Sequence, residues 1–180
     1  VNLYNGDVVI ARPLTQCGGN RMPVSITAYY GAQLSGVTAR VGSHWRLSCD
    51  QCMNKSYIND ELYFIWSKGD GSQHYFRKPN SSAAYYEDLS GLSLKLTDNG
   101  TYTEIEDKGG TVMRFESPQD ALDDTGRLLS ITDSCGNTNT FQYGDWRLES
   151  ITDGAGRVTQ FTYSGNMLTG ILAPGESAPV

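Results

Sequence analysis

Apolar and polar positions alternate along this chain in short runs, and the runs recur at a long period. "LSLKL" at Leu92 to Leu96 places an apolar residue at every second position, as do "TFQY" at Thr140 to Tyr143 and "QFTY" at Gln160 to Tyr163. Successive side chains of a strand point to opposite faces, so a period of two predicts half-buried strands. One segment has a helical signature: Pro118 to Asp124, "PQDALDD", with Ser117 placed as an N-cap and Pro118 at the first helical position. The long period is clearer still. Leu128, Leu148 and Leu168 stand twenty residues apart, as do Ile131, Ile151 and Ile171. Asp133 matches Asp153, Gly136 matches Gly156, Phe141 matches Phe161 and Tyr143 matches Tyr163, giving repeats at 126–145 and 146–165 and another begun at 166. The same offsets recur upstream at Ile105, Asp107, Gly110 and Phe115, and more faintly at Trp66, Gly71 and Phe76.

Each repeated residue has a physical reason. The Asp begins a turn by accepting a hydrogen bond from backbone two residues on, and the Gly three positions later takes a positive φ. Phe141 and Tyr143 share one face of a strand, while Thr140 and Gln142 share the other. A lone hairpin with one apolar face is marginal in water, so neighbouring hairpins must pair. The expected fold is therefore all-β: consecutive antiparallel hairpins forming one extended, twisted sheet. A change of pattern near Gly91 to Gly100 divides a segment at 1–90 that introduces the repeats from hairpins at 91–180, with the sheet continuous across both. The strand that follows the last complete repeat should leave an open edge, met by self-association or by a covering C-terminal segment.

Composition narrows the function classes. Fourteen basic and twenty acidic residues give a formal charge of -6, which disfavours nucleic acid and anionic membrane surfaces as partners. No apolar run approaches the ~20 residues of a membrane span, and the opening "VNLYNGDVVIARP" lacks a basic start followed by an apolar core. The absence of an initiator Met and the interrupted repeat at 166 read as a piece of a longer protein.

The units "RLLSITDSCGNTNTFQY" and "RLESITDGAGRVTQFTY" resemble YD repeats of the Rhs family. The front of the chain is similar to the segment that introduces such repeats, through "VNLYNGDVVIARPL", "MPVSITAYYGAQ", "SHWRLSCDQ" and "GDGSQHYF". Gly42 and Trp45 keep that segment's Gly-x-Gly-Trp pattern, but His44 stands where a Gly is usual, which puts the local turn in question. The resemblance implies a secreted or surface-delivered bacterial protein, with relatives in toxin complexes and teneurins. Its strands would build a shell around a C-terminal toxin or effector of the same parent chain. The family's self-cleaving aspartate site and toxin lie downstream of this segment and nothing here matches them, so the resemblance implies a non-catalytic structural role with no cofactor and no catalytic, metal or cofactor-binding residue. A closed barrel with both edges satisfied would sink the shell reading.

Asp133 and Asp153 could form a carboxylate pair for acid–base work or calcium, but the turn explains both Asp and Gly, and equivalent positions in a repeat do not supply the unlike environments that catalysis needs. Cys49 and Cys52, in "SCDQC", have the spacing that begins many zinc sites; the remaining candidates Cys17, Cys135, His44 and His74 are not paired at ligand spacing. Buried thiols are favoured over one or two disulfides, with Cys135 as the exposed thiol. Neither His44 nor His74 sits in a nucleophile motif. Asn54, Asn80 and Asn99 begin Asn-x-Ser/Thr sequons and are read as loop residues. Tyr29, Tyr30, Tyr85, Tyr86, Trp45, Trp66 and Trp146 could stack on sugars, which makes the alternative reading a carbohydrate-binding adhesin module of a surface protein, although strand aromatics are more often core.

Overall fold

A computed structural model describes residues 8–32, 34, 36–119 and 125–180. Among them are fifteen strands and no α-helix: β1 Ile10–Gln16, β2 Ser25–Tyr30, β3 Trp45–Leu47, β4 Cys52–Ile58, β5 Glu61–Ser67, β6 Gln73–Arg77, β7 Tyr86–Asp88, β8 Lys95–Asp98, β9 Tyr102–Glu106, β10 Val112–Glu116, β11 Thr125–Thr132, β12 Thr138–Gly144, β13 Arg147–Thr152, β14 Val158–Ser164 and β15 Met167–Leu172. The expected all-β class holds. Most of the helical candidate at Pro118 to Asp124 lies outside the described residues; Pro118 and Gln119 are not helical.

The chain forms two units that interleave in sequence. One takes the residues up to Asp50, Lys68–Gly71 and Asn137–Val180; the other takes Gln51–Ser67 and Ser72–Gly136.

The second unit corrects the expectation of a single extended sheet. Its strands run β10-β9-β8-β7-β6-β5-β4-β11, and β10 also pairs with β11, closing an eight-stranded barrel. Residues directly opposed in the ladders share a face, so the register carries one set of side chains around the interior: Met53 opposes Trp66, Phe64 opposes Phe76, Leu96 opposes Ile105 and Phe115 opposes Leu128. All eight are buried. An eight-stranded barrel is just wide enough for side chains to fill, and the aromatic rings here do that. Gly126 lies where β10 and β11 meet, and an added Cβ there would fall against the carbonyl oxygen of Glu116. The later repeats carry Trp146 and Asn166 at that offset, so this Gly serves the barrel and not the repeat. The alternation of "LSLKL" holds for Leu94 and Leu96, but Leu92 is exposed in the loop before β8, where its N–H bonds Asp88 Oδ2 at 2.9 Å.

In the first unit β1, β2 and β3 form a small antiparallel sheet, and β12 to β15 are successive antiparallel strands. The twenty-residue repeat appears in the ladders themselves. Phe141 opposes Ile151 and Tyr143 opposes Leu148; one repeat later Phe161 opposes Ile171 and Tyr163 opposes Leu168. Each pair of strands has a bulge just before its Leu pairing, between Gln142 and Tyr143 and between Thr162 and Tyr163. A bulge turns a backbone group out of the ladder, and here both freed amides find the same partner segment. Leu148 donates to Thr38 O at 3.1 Å and Leu168 donates to Arg40 O at 2.8 Å. Two residues of strap thus advance one repeat of sheet. The edge of β15 is met at Ile171, whose N–H and C=O exchange hydrogen bonds with Val180 at 2.9 and 3.0 Å. This is the covering C-terminal segment that the open repeat called for.

Candidate functional site

The repeated carboxylates are turn formers. Asp133 Oδ1 accepts from Cys135 N at 2.9 Å, Asp153 Oδ1 from Ala155 N and Arg157 N at 2.9 Å each, and Asp107 Oδ1 from Gly109 N at 2.8 Å and Thr111 N at 2.9 Å. The paired glycines Gly110, Gly136 and Gly156 have φ of 81°, 82° and 80°. The faint upstream copy has the same turn: Gly71, at φ 86°, donates to Lys68 O at 3.0 Å, with Lys in place of Asp. For Asp153, burial pushes the carboxyl up, but the Arg157 amide, its guanidinium and the Ala155 amide outweigh it and hold it below the usual range. For Asp107 the Thr111 amide is the main cause of a shift in the same direction.

His44 resolves the question raised by its replacement of a Gly. It sits at φ 67°, in the left-handed region, and Gly42 beside it is at 144°. The His ring offsets the strain of that backbone: its Nδ1 bonds Ala32 O at 2.8 Å and its edge meets Tyr30 at a centroid distance of 6.2 Å.

The barrel brings His74 to Ser90 and Asp88, a set of residue types that a hydrolase also uses. Ser90 Oγ lies 3.2 Å from His74 Nδ1 and Asp88 Oδ1 lies 3.7 Å from the same nitrogen, under the Trp66 ring at 5.0 Å. A triad needs nucleophile and acid on opposite ring nitrogens. Here both address one, so the set fastens the loop after β7: Asp88 Oδ2 takes Leu92 N and Asp88 N donates to Leu94 O.

Cys49 and Cys52 are both buried free thiols, Cys17 is half-buried and Cys135 is exposed on its turn. Burial, with the Asp50 charge adding to it, pushes the Cys49 thiol far up, the opposite of the shift that activates a cysteine nucleophile. Among the described residues no three His, Cys, Asp or Glu groups gather as metal ligands. Of the sequons, Asn80 and Asn99 lie on loops and cap their own turns, Asn80 toward Ser82 N and Asn99 toward Thr101 N and Tyr102 N. Asn54 departs from the loop expectation: it lies in β4 opposite Ile65 and is half-buried.

Sequence reasoning missed two features. The first is Asp50, fully buried within "WRLSCDQ". Its carboxylate takes Val37 N at 2.7 Å, Thr38 N at 2.9 Å and Thr38 Oγ1 at 2.8 Å, while its carbonyl takes Arg46 Nε at 2.8 Å. Asp50 therefore sets the strap whose next carbonyls receive the repeat amides. The second is a cleft of about 550 Å³ at the barrel end between β5 and the β6–β7 loop, lined by Glu61, Leu62, Arg77, Lys78, Asn80 and Tyr86 among others. Arg77 is tied to Glu61 at 3.2 Å, and Lys78 lies over the Tyr86 ring at 5.5 Å, so its polar groups are largely self-satisfied.

The aromatic residues separate by burial. Trp66 and Tyr86 are core, Tyr29, Tyr30, Trp45 and Tyr85 are half-buried, and Trp146 is 38% exposed. Arg40 lies over the Trp146 ring at 5.1 Å, and Arg147 lies 5.9 Å from that ring and 5.3 Å from Tyr163.

No protein-family model matches the chain, and no curated protein matches it.

Proposed function

We propose that this chain is a non-catalytic structural part of a secreted or surface YD-repeat protein, contributing strands to a shell that encloses or presents a toxin or effector of the same parent chain. The observation that carries the reading is the equivalence of successive hairpins: the same turn, the same bulge and the same amide hooked to the strap recur at twenty-residue intervals. A unit that repeats its backbone geometry can be added to without a new solution for each copy. Barrel closure limits the reading, because residues of β4 to β11 satisfy their own edges; the extendable part is β12 to β15. Peptide mapping of the native protein tests it. Further twenty-residue repeats leading to an unrelated C-terminal segment are expected, and a native chain holding no further repeat would overturn it.

A second reading, a carbohydrate-binding surface module, is favoured by one observation. Trp146 is the exposed member of the named aromatics and lies at a hairpin tip.

A further inference from the structure

The turn between β12 and β13 carries more chemistry than a turn needs. Asp145 and Gly165 hold the first position of the two equivalent two-residue turns, at φ 53° and 56°. The second position is Trp146 in one and Asn166 in the other, and the next is Arg147 in one and Met167 in the other. The hairpin therefore forms without Trp or Arg. The Trp is present in one copy only, whereas the preceding repeat also has an Arg at the offset of Arg147, namely Arg127; an exposed Trp at a loop tip costs solubility without filling a core.

The two arginines there differ from the five that face acids. Arg46, Arg77, Arg114, Arg127 and Arg157 each face a carboxylate. Among the described residues Arg40 and Arg147, like Arg12 and Arg21, have no ion pair, and both face aromatic rings. Their backbones and heads are held: Arg40 O receives Leu168 N, and Arg147 Nη1 donates to Gly165 O at 2.6 Å. Stacking on a ring leaves the edge of a planar guanidinium open to hydrogen-bond acceptors, the geometry that takes a carboxylate or sulfate through two bonds; Arg147 has already given Nη1 to Gly165 O, so Arg40 offers the fuller fork. Arg40 also lines a cleft of about 360 Å³ with Gly36, Gly42, Ser43 and Met167, within the size range of small-ligand sites.

We infer that Arg40, Trp146 and Arg147 form a binding site for an acidic saccharide, its carboxylate or sulfate on the guanidinium forks and its ring in the cleft beside Met167. The inference rests on the carbohydrate reading above and gives it a place and a charge class.

Titration of the full chain by tryptophan fluorescence and by calorimetry tests it, with four probes: an oligogalacturonate, a sulfated oligosaccharide, neutral maltotetraose and inorganic sulfate. One or both acidic oligosaccharides should bind, at least tenfold more weakly to Arg40→Gln and to Trp146→Ala, with maltotetraose silent. Arg40→Lys, which keeps the charge but not the fork, should also weaken binding. Equal binding of maltotetraose would overturn the acidic class while leaving the carbohydrate reading standing. Inorganic sulfate binding as tightly as the saccharides would make this a small-anion site and overturn the proposal. No binding by any probe would overturn both.

Discussion

Asp153 shows how much one repeated residue contributes when its surroundings close over it. Its side chain accepts from two backbone amides and from Arg157 Nε at 2.7 Å, and it is almost wholly buried. Asp107 makes the same turn at the surface without an Arg. Asp153→Ala should therefore destabilise by about 1–3 kcal/mol, the range for leaving buried donors unpaired. Asp107→Ala should cost less, and the order is checked by the midpoints of urea unfolding. The pH dependence has a definite sign. Both carboxyls are held below their ordinary range in the folded chain, so the stability they add is present above the unfolded value of about 3.9 and is lost as pH falls through the folded values. Urea midpoints should fall below about pH 4, and the fall should be shallower in Asp153→Asn. The Asp and Gly of each repeat were legible in the sequence because a turn is a local event, decided by residues that are neighbours in the chain. His44 was legible only as an anomaly: its positive φ is tolerated through a hydrogen bond to Ala32 O and a ring contact with Tyr30, which sequence distance hides.

At the scale of elements, alternation identified strands such as β12 and β14 because each has one wet and one buried face. It did not identify the barrel. Closure is a pairing of β10 with β11, and a closed and an open sheet have the same alternation. A local mark is Gly126, a glycine inside a strand, to which the sequence pattern alone assigns no role. Gly126→Ala should force β10 and β11 apart at Glu116 and cost about 1–3 kcal/mol, the range for overpacking. Loss of amide protection in Val112–Glu116 and Thr125–Thr132 on hydrogen exchange would locate the damage; unchanged protection there would mean that this Gly is not what permits closure. The strap makes a separate prediction. Asp50→Ala leaves Val37 N, Thr38 N and Thr38 Oγ1 without their acceptor, and removal of a buried charged partner costs about 3–5 kcal/mol. The amides of Leu148 and Leu168 should then lose protection together, since their acceptors Thr38 O and Arg40 O lie on the one strap. Independent loss would show that the strap does not act as a unit.

For the whole molecule the question is what becomes of the edge of β15. An edge strand with free N–H and C=O groups templates pairing with another chain. In this chain the Leu168 amide is taken by Arg40, and Ile171 is matched in both directions by Val180. The two devices differ in kind: the strap is anchored on buried Asp50, whereas Val180 is 62% exposed and reaches the edge through two backbone bonds. The tail is the weaker cover and the one that an added hairpin would have to displace. A chain ending at Ala173 should expose both Ile171 groups and associate as concentration rises, seen as a growing sedimentation coefficient against a constant one for the full chain. A shortened chain whose sedimentation matches the full chain would mean that bulge and strap alone protect the edge, and that the sheet is capped at Leu168. In that case the extendable part of the molecule would shrink from β12 to β15 to the strands before the cap, and the shell reading would lose the edge on which it depends.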